Sequence, residues 1–195
     1  MKQEIKTVCV YCGASSRVSD TYRHAIETLA RGLVKSGIAI VYGGGSVGTM
    51  GYLARAAMAA GGRVIGVIPE HIISVEGQDD VSEVHVVDSM HSRKMLMVEK
   101  SDAFISMPGG MGTLDETFEI LTWKYLGLHD KPIILGNING YWDPLMDLLK
   151  NMIAEKYTPE QHLDLFRMGN DADEILSYIS NYDMTGHSEA KINKM

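Results

Sequence analysis

The chain has 195 residues, 45% of them apolar and 22% charged, with a formal net charge of −7. That balance fits a single globular domain with room for a core and excludes a disordered or fibrous chain. The negative charge works against nucleic acid and anionic membranes as partners, and no apolar run is long enough to cross a bilayer. Residues Met1–Lys6 are polar and the apolar TVCVY after them is too short for a signal-peptide core, so a cytoplasmic location is expected.

Short apolar runs alternate with helical periodicities along the chain. A strand is predicted over Thr7–Tyr11, a helix over Tyr22–Lys35, a strand over Ile38–Tyr42 and an Ala-rich helix over Met50–Ala60, closed by Gly61-Gly62. A strand over Arg63–Ile68, an acidic loop over Glu76–Glu83 and a short strand over Val84–Val87 come next. Then follow a helix over Ser92–Lys100, a strand over Ala103–Met107 and a strong helix over Thr113–Leu126. Pro132–Leu135 reads as a strand, and Asp143–Ala154 and Ala172–Ser180 as helices. This order predicts an α/β, Rossmann-like, doubly wound parallel sheet with helices on both faces. One domain over residues 1–182 is expected, with 183–195, including His187, as a frayed tail.

Ligands of such sheets bind beyond the carboxyl ends of the strands, which confines the search for chemistry to four loops. The first strand ends in Cys12-Gly13-Ala14-Ser15-Ser16. There the glycine permits close backbone approach and hydroxyls such as Ser15 can donate to phosphate or ribose; alternatively, Ser19 or Asp20 merely caps the next helix. Cys9 and Cys12 are the only cysteines, and with Cys9 inside a strand rather than at a helix start both read as reduced and structural. The second strand ends in Gly43-Gly44-Gly45-Ser46-Val47-Gly48-Thr49-Met50-Gly51, formally a G-x-G-x-x-G with the acidic Glu70 further on, so a bound dinucleotide has to be weighed. Its position after the second strand, and a second glycine turn downstream, favour a simpler use: backbone around Gly44 and Gly45 facing an anion or a sugar.

The fourth strand runs into Asp88-Ser89-Met90-His91-Ser92-Arg93-Lys94. Cations in a first helical turn oppose the dipole, so ligand binding accounts for Arg93 and Lys94 better than a solvated helix start balanced by Asp88 and Glu99. The fifth strand ends in Met107-Pro108-Gly109-Gly110-Met111-Gly112-Thr113-Leu114-Asp115-Glu116. Three glycines leading into a helix present unpaired N–H groups to an anion, and Thr113 adds a hydroxyl. A Walker A loop is excluded, since no Lys-Ser/Thr pair follows. Asp115 and Glu116 complement the dipole at the least, and Glu116, on nearly the same face as Thr113, is the better placed to enter the cleft.

Seven histidines lie scattered without i,i+4 spacing and no G-x-S-x-G is present, so no metal, cofactor or serine nucleophile is expected. A phosphate cradle with one carboxylate suits a cationic transition state, such as that of ribosyl–base cleavage, with Arg93 orienting the carboxylate or bonding the departing base.

YGGGSVGTMG (Tyr42–Gly51), MHSRK (Met90–Lys94) and PGGMGTLDE (Pro108–Glu116), in this order, resemble the signatures of the Lonely Guy family. These are cytokinin riboside 5′-monophosphate phosphoribohydrolases, often mislabelled lysine decarboxylases. The resemblance spans about residues 7–180. It implies a Rossmann-like homodimer that takes an adenosine or N6-substituted adenosine 5′-monophosphate to free base and ribose 5-phosphate. It also implies that Arg93 and Glu116 are catalytic and that Lys94, Gly109, Gly110, Met111, Gly112, Thr113, Leu114, Asp115 and Thr122 bind the nucleotide. The chain departs from the family pattern at Thr49, where GLMG is usual, and Glu76 is the candidate for a base-contacting acid. Decarboxylation lacks support, because pyridoxal chemistry needs a lysine in an apolar pocket. Two other classes stand beside the hydrolase: a non-catalytic nucleotide or molybdenum-cofactor carrier, and a dinucleotide-dependent enzyme. A carrier has no need of a carboxylate beside the sugar. Met90, Met95, Met97, Met107 and Met111 read as adaptable core filler, with the lining of a base pocket as the alternative, and Trp123, Tyr125 and Leu126 as core or subunit interface.

Overall fold

Seven parallel strands form one sheet in the computed structural model, which describes residues 4–182; the expected tail with His187 lies outside the described residues. The strands are β1 (Thr7–Tyr11), β2 (Ala39–Tyr42), β3 (Val64–Pro69), β4 (Glu83–Val87), β5 (Ala103–Ser106), β6 (Ile133–Gly136) and β7 (Arg167–Gly169), in the order β4-β3-β2-β1-β5-β6-β7. The helices are α1 (Asp20–Lys35), α2 (Gly48–Ala59), α3 (Glu70–Glu76), α4 (Met90–Glu99), α5 (Met111–Tyr125), α6 (Asp143–Ala154) and α7 (Ala172–Asn181). The α/β, doubly wound architecture expected from the sequence is the one found.

Each face of the sheet carries its own core. Along β1 the side chains alternate: Val8 and Val10 pack with α1, α2 and α7, while Cys9 and Tyr11 pack with α4, α5 and α6. In α1, Ile26, Leu29, Ala30 and Leu33 make one apolar stripe at helical spacing, and the helix buries it on the first of these cores. All six residues of β3 are buried, as an interior strand of a doubly covered sheet requires. At the edge, β4 is guarded by charge: Glu83 is bonded by Arg63, Lys100 and His85. Cys9 and Cys12 fall in opposite cores and both are free thiols.

Four elements were not predicted. The helix α3 has seven residues, β7 has three, and two 3₁₀ turns cover Ile138–Gly140 and Glu160–Leu165; none is long enough for a hydrophobic period to show. Four helices begin two residues earlier than expected, α1 at Asp20, α2 at Gly48, α4 at Met90 and α5 at Met111, which brings the N-termini of α2 and α5 into the glycine loops.

The strand order reverses between β1 and β5, and their following helices depart to opposite faces, so a crevice opens there. Loops meet backbone to backbone at this point. A Cβ on Gly13 would lie 3.3 Å from Gly109 Cα, and one on Gly48, whose φ is +59°, would lie 2.6 Å from Gly13 O. Thr49 fixes the contact, its N–H and hydroxyl both donating to Gly13 O at 2.9 and 2.8 Å. The unusual Thr49 thus ties the loop after β2 to the loop after β1.

Gly48→Ala should therefore lower stability by about 2 kcal/mol or more, from positive-φ strain and a clash with fixed backbone. Equilibrium urea denaturation checks this, and an unchanged midpoint would refute the claimed loop contact.

Candidate active site

A cleft of about 620 Å³ opens at the carboxyl ends of β1 and β5, within the range that holds a nucleotide. One wall is the loop from Gly13 to Ser19, another the turn from Pro108 into α5, and Gly43, Glu76, Met90 and Arg93 close the end towards β2 and β3.

At the turn into α5 the chain is bare for two different reasons. Gly109 must lack a side chain because Thr113 packs against it, a Cβ there falling 2.6 Å from Thr113 Cβ. Gly110 and Gly112 would meet no protein atom within 4 Å of a Cβ, so nothing in the fold itself calls for their bareness. Gly110 is the N-cap of α5 and no side chain caps the helix, which leaves its first N–H groups to the cleft. Tyr141, from the 3₁₀ turn after β6, holds this loop in place by donating from its hydroxyl to Gly109 O at 2.7 Å.

One turn into α5 sits Glu116, only 8% exposed. Burial raises its pKa from 4.5 to about 7; Arg93 pulls the other way, and Asp115 and Glu76 push it up further. Arg93 is itself buried, at 6% exposure. Its Nη2 donates to Gly43 O at 3.0 Å, and its guanidinium fills the space a side chain at position 43 would need. Arg93 Nε and Glu76 Oε2 are both buried without a hydrogen-bond partner among the described residues. Each such atom costs about 1–3 kcal/mol unless a ligand satisfies it. A donor and an acceptor are thus left unspent in the walls of one cleft.

The structure gathers Ser15, Arg93, Gly109, Gly110, Met111, Gly112, Thr113, Asp115 and Glu116 around this space. Other expected residues lie elsewhere. Gly44, with φ of +80°, packs on Ile68, and Gly45 packs beside Met50 and Glu76; it is Gly43 that lines the cleft. The glycines of the dinucleotide-like motif are thus taken up by packing on Arg93, β3 and the loop after β1. Lys94 points away and pairs with Asp115 at 3.2 Å and Glu119 at 3.0 Å. Its burial disfavours the charge, yet those carboxylates hold its pKa above the ordinary value. Leu114 packs into the core, and Thr122 is exposed further along α5, outside the cleft. Arg93 does not sit on the dipole as the sequence suggested, since α4 is capped by Ser89, which accepts from Ser92 N–H at 3.1 Å, and Asp88 bonds Ser92.

Sequence reasoning missed Arg17, Tyr22 and Tyr141 in the lining. Tyr141 lies 32 residues beyond its partner Gly109, with no local pattern to flag it. Among the methionines, Met50, Met90 and Met111 line the cleft, while Met97 and Met107 are core. Cys12 also borders it, but burial pushes its thiol up to about 12, which leaves it unreactive. Among the described residues no group of three or more His, Cys, Asp or Glu is placed to hold a metal ion.

A carboxyl whose folded pKa is raised contributes its stability at low pH and loses it as pH climbs through about 7. Glu116→Gln should therefore add on the order of 2–3 kcal/mol of stability at pH 8.5, read as a raised Tm, and leave Tm nearly unchanged at pH 5. Calorimetry at the two pH values measures this, and an equal shift at both would contradict the buried-acid assignment.

The family model described as "Possible lysine decarboxylase" matches residues 50–179. A probable cytokinin riboside 5′-monophosphate phosphoribohydrolase of Oryza sativa subsp. japonica is 41% identical over 182 residues, covering 93% of this chain and 80% of the relative. The cytokinin riboside 5′-monophosphate phosphoribohydrolase of Rhodococcoides fascians is 45% identical over 154 residues, 78% of each chain. One from Arabidopsis thaliana is 37% identical over 182 residues, 93% of this chain and 85% of the relative. Among solved structures, the molybdenum cofactor binding protein of Rippkaea orientalis superposes with a TM-score of 0.66 at 22% identity, over 90% of this chain and 96% of the other, a likeness of fold. The Moco carrier protein of Chlamydomonas reinhardtii does so at 0.67 and 19%, over 91% and 96%. With relatives of this identity along nearly its whole length, and with MHSRK and PGGMGTLDE gathered at one cleft, the chain belongs to the Lonely Guy family of cytokinin riboside 5′-monophosphate phosphoribohydrolases.

Proposed function

We propose that this protein hydrolyses the N-glycosidic bond of adenosine 5′-monophosphate or an N6-substituted analogue, yielding free base and ribose 5-phosphate. The observation that carries this reading is the placement of Glu116. A buried carboxylate stands one helical turn inside an N-terminus whose N–H groups suit a phosphate, with a buried arginine beside it. That separation suits the span from a 5′-phosphate to the anomeric carbon of one ribose.

In the reaction the phosphate rests on the backbone of Gly110–Thr113, and the ribose lies over Glu116. As the C1′–N bond lengthens, positive charge develops on the ribose, and the ionised Glu116 stabilises it and orients water for attack at C1′. Water delivers hydroxide to C1′ and its proton ends on the base. Arg93 steadies the carboxylate, and its unspent Nε–H is a donor for the leaving base. Glu76, whose buried Oε2 lacks a partner, accepts from the exocyclic amine of the base. Lys94 acts at one remove, holding Asp115.

The substrate is a small nucleotide rather than nucleic acid, in keeping with the net charge of −7. No helix of the described residues is long and apolar enough to cross a membrane, and a cytoplasmic site of action is part of the proposal. We also propose a homodimer. Leu126 and Leu128, 52% and 68% exposed beyond the end of α5, are apolar surface of the kind that subunits cover. Thr122, outside the cleft of its own chain, would reach a nucleotide only across such an interface.

The test is to incubate the protein with adenosine 5′-monophosphate, its N6-isopentenyl analogue and adenosine, and to quantify free base by chromatography. Base should appear from the phosphorylated compounds, and Glu116→Gln should lose roughly 100-fold or more of the rate while still binding nucleotide. A fully active Glu116→Gln would end the assignment. Because the ionised form acts, kcat/KM should rise with pH to a plateau above about 7. Arg93→Ala removes a charge that lowers the Glu116 pKa, so the residual activity should need a higher pH.

A further inference from the structure

We infer that Arg17 is the side-chain counter-charge for the substrate's 5′-phosphate and sets the preference for phosphorylated over unphosphorylated nucleosides, an inference that rests on the phosphoribohydrolase reading.

The cleft carries more acid than base. Its lining contains three carboxylates, Glu76, Asp115 and Glu116, and two cations, Arg17 and Arg93. Arg93 is committed at the other end, bonded to Gly43 O and coupled to Glu116. Lys94 lies outside the lining and is shared between Asp115 and Glu119. A phosphate at the N-terminus of α5 thus meets backbone dipoles and Asp115, but no other free cation in the lining. Dipoles position a phosphate well, yet a dianion among carboxylates calls for a compensating charge.

The loop that carries Arg17 is held against that N-terminus at both ends. Before it, the Gly13 backbone lies so near Gly109 that a side chain at position 13 would crowd Gly109 Cα. After it, the Tyr22 ring meets Tyr141 edge-on at 5.7 Å, and Tyr141 binds Gly109 O. Within the loop, the Arg17 N–H donates to Ser15 Oγ at 3.3 Å, while its guanidinium forms no hydrogen bond or ion pair among the described residues. The nearest acid in sequence, Asp20, is taken by Arg23 at 2.9 Å. Arg17 is therefore an exposed, uncommitted fork on a tethered loop beside an anion cradle, and a guanidinium fork suits phosphate oxygens in pairs.

The test separates phosphate binding from chemistry. Wild type, R17Q and R17K would be titrated calorimetrically with ribose 5-phosphate and with ribose, and assayed for base release from adenosine 5′-monophosphate. R17Q should weaken ribose 5-phosphate binding roughly tenfold, the cost of one charge-assisted contact at an exposed site. The KM for the monophosphate should rise in step while kcat stays within about twofold, and R17K should keep part of the affinity. The deficit of R17Q should shrink at high salt, since it is electrostatic. Equal affinity of wild type and R17Q for ribose 5-phosphate would overturn the inference, as would a fall in kcat at constant KM. Arg17-dependent binding of ribose 5-phosphate by a wild type that releases no base would retire the hydrolase reading and leave the phosphate clamp standing.

Discussion

Keeping a carboxylate out of water while an arginine restrains its pKa is the constraint around which this cleft is built. Burial alone would leave Glu116 protonated at neutral pH, and a full salt bridge would lock it as a spent anion. Its pKa of about 7 sits between the two because burial outweighs the opposing pull of Arg93. Arg93 in turn has to be buried, and Gly43 supplies both the carbonyl that bonds it and the space it fills. The glycines after β2 then read as three separate fittings: Gly43 admits the guanidinium, Gly44 lets the chain pass over β3, and Gly48 lets it touch the loop after β1.

This explains what the sequence could and could not reveal. The sheet was legible because apolar runs such as TVCVY and VIGVIP must be buried on both faces, and the helices because α1 and α7 carry stripes at helical spacing. The turn into α5 was legible too, since three glycines before an acidic helix start have few structural excuses. The strand β7 and helix α3 were not, being shorter than the period that would betray them. Arg93 was read as a cation perched on a dipole, whereas its direction is set by a carbonyl 50 residues away. The G-x-G-x-x-G match was genuine as a string and empty as a fingerprint, because Gly45 and Gly48 face protein and Gly43 makes room for Arg93. A motif gives residue types; only the fold says what stands opposite them.

Thr49 shows how a family departure can be absorbed. A leucine at that buried position would offer volume alone, while threonine adds a hydroxyl that must be satisfied. Gly13 O satisfies it at 2.8 Å, so the change turns a packing contact into a tie between the loops after β1 and β2. The loop it steadies is the one that carries Ser15 and Arg17 to the cleft rim.

The fold itself does not choose between carrying a nucleotide and cleaving it, since carriers of a molybdenum cofactor superpose on this chain over nine-tenths of its length. The choice lies in how anion binding is arranged. A phosphate cradle made of lysines would place strong cations within reach of Glu116 and drag its pKa down, leaving a paired carboxylate with little to offer a developing cation. Here the loop offers backbone, and Lys94 on α4 lies outside the lining, paired with Asp115 and Glu119, so that its pull on Glu116 is weaker than that of Arg93. On the proposed function, dipoles and the exposed Arg17 at the rim would hold the phosphate without quenching the acid. On that reading one short segment, Gly109 to Glu116, would serve an anion at its start and a cationic transition state one turn later.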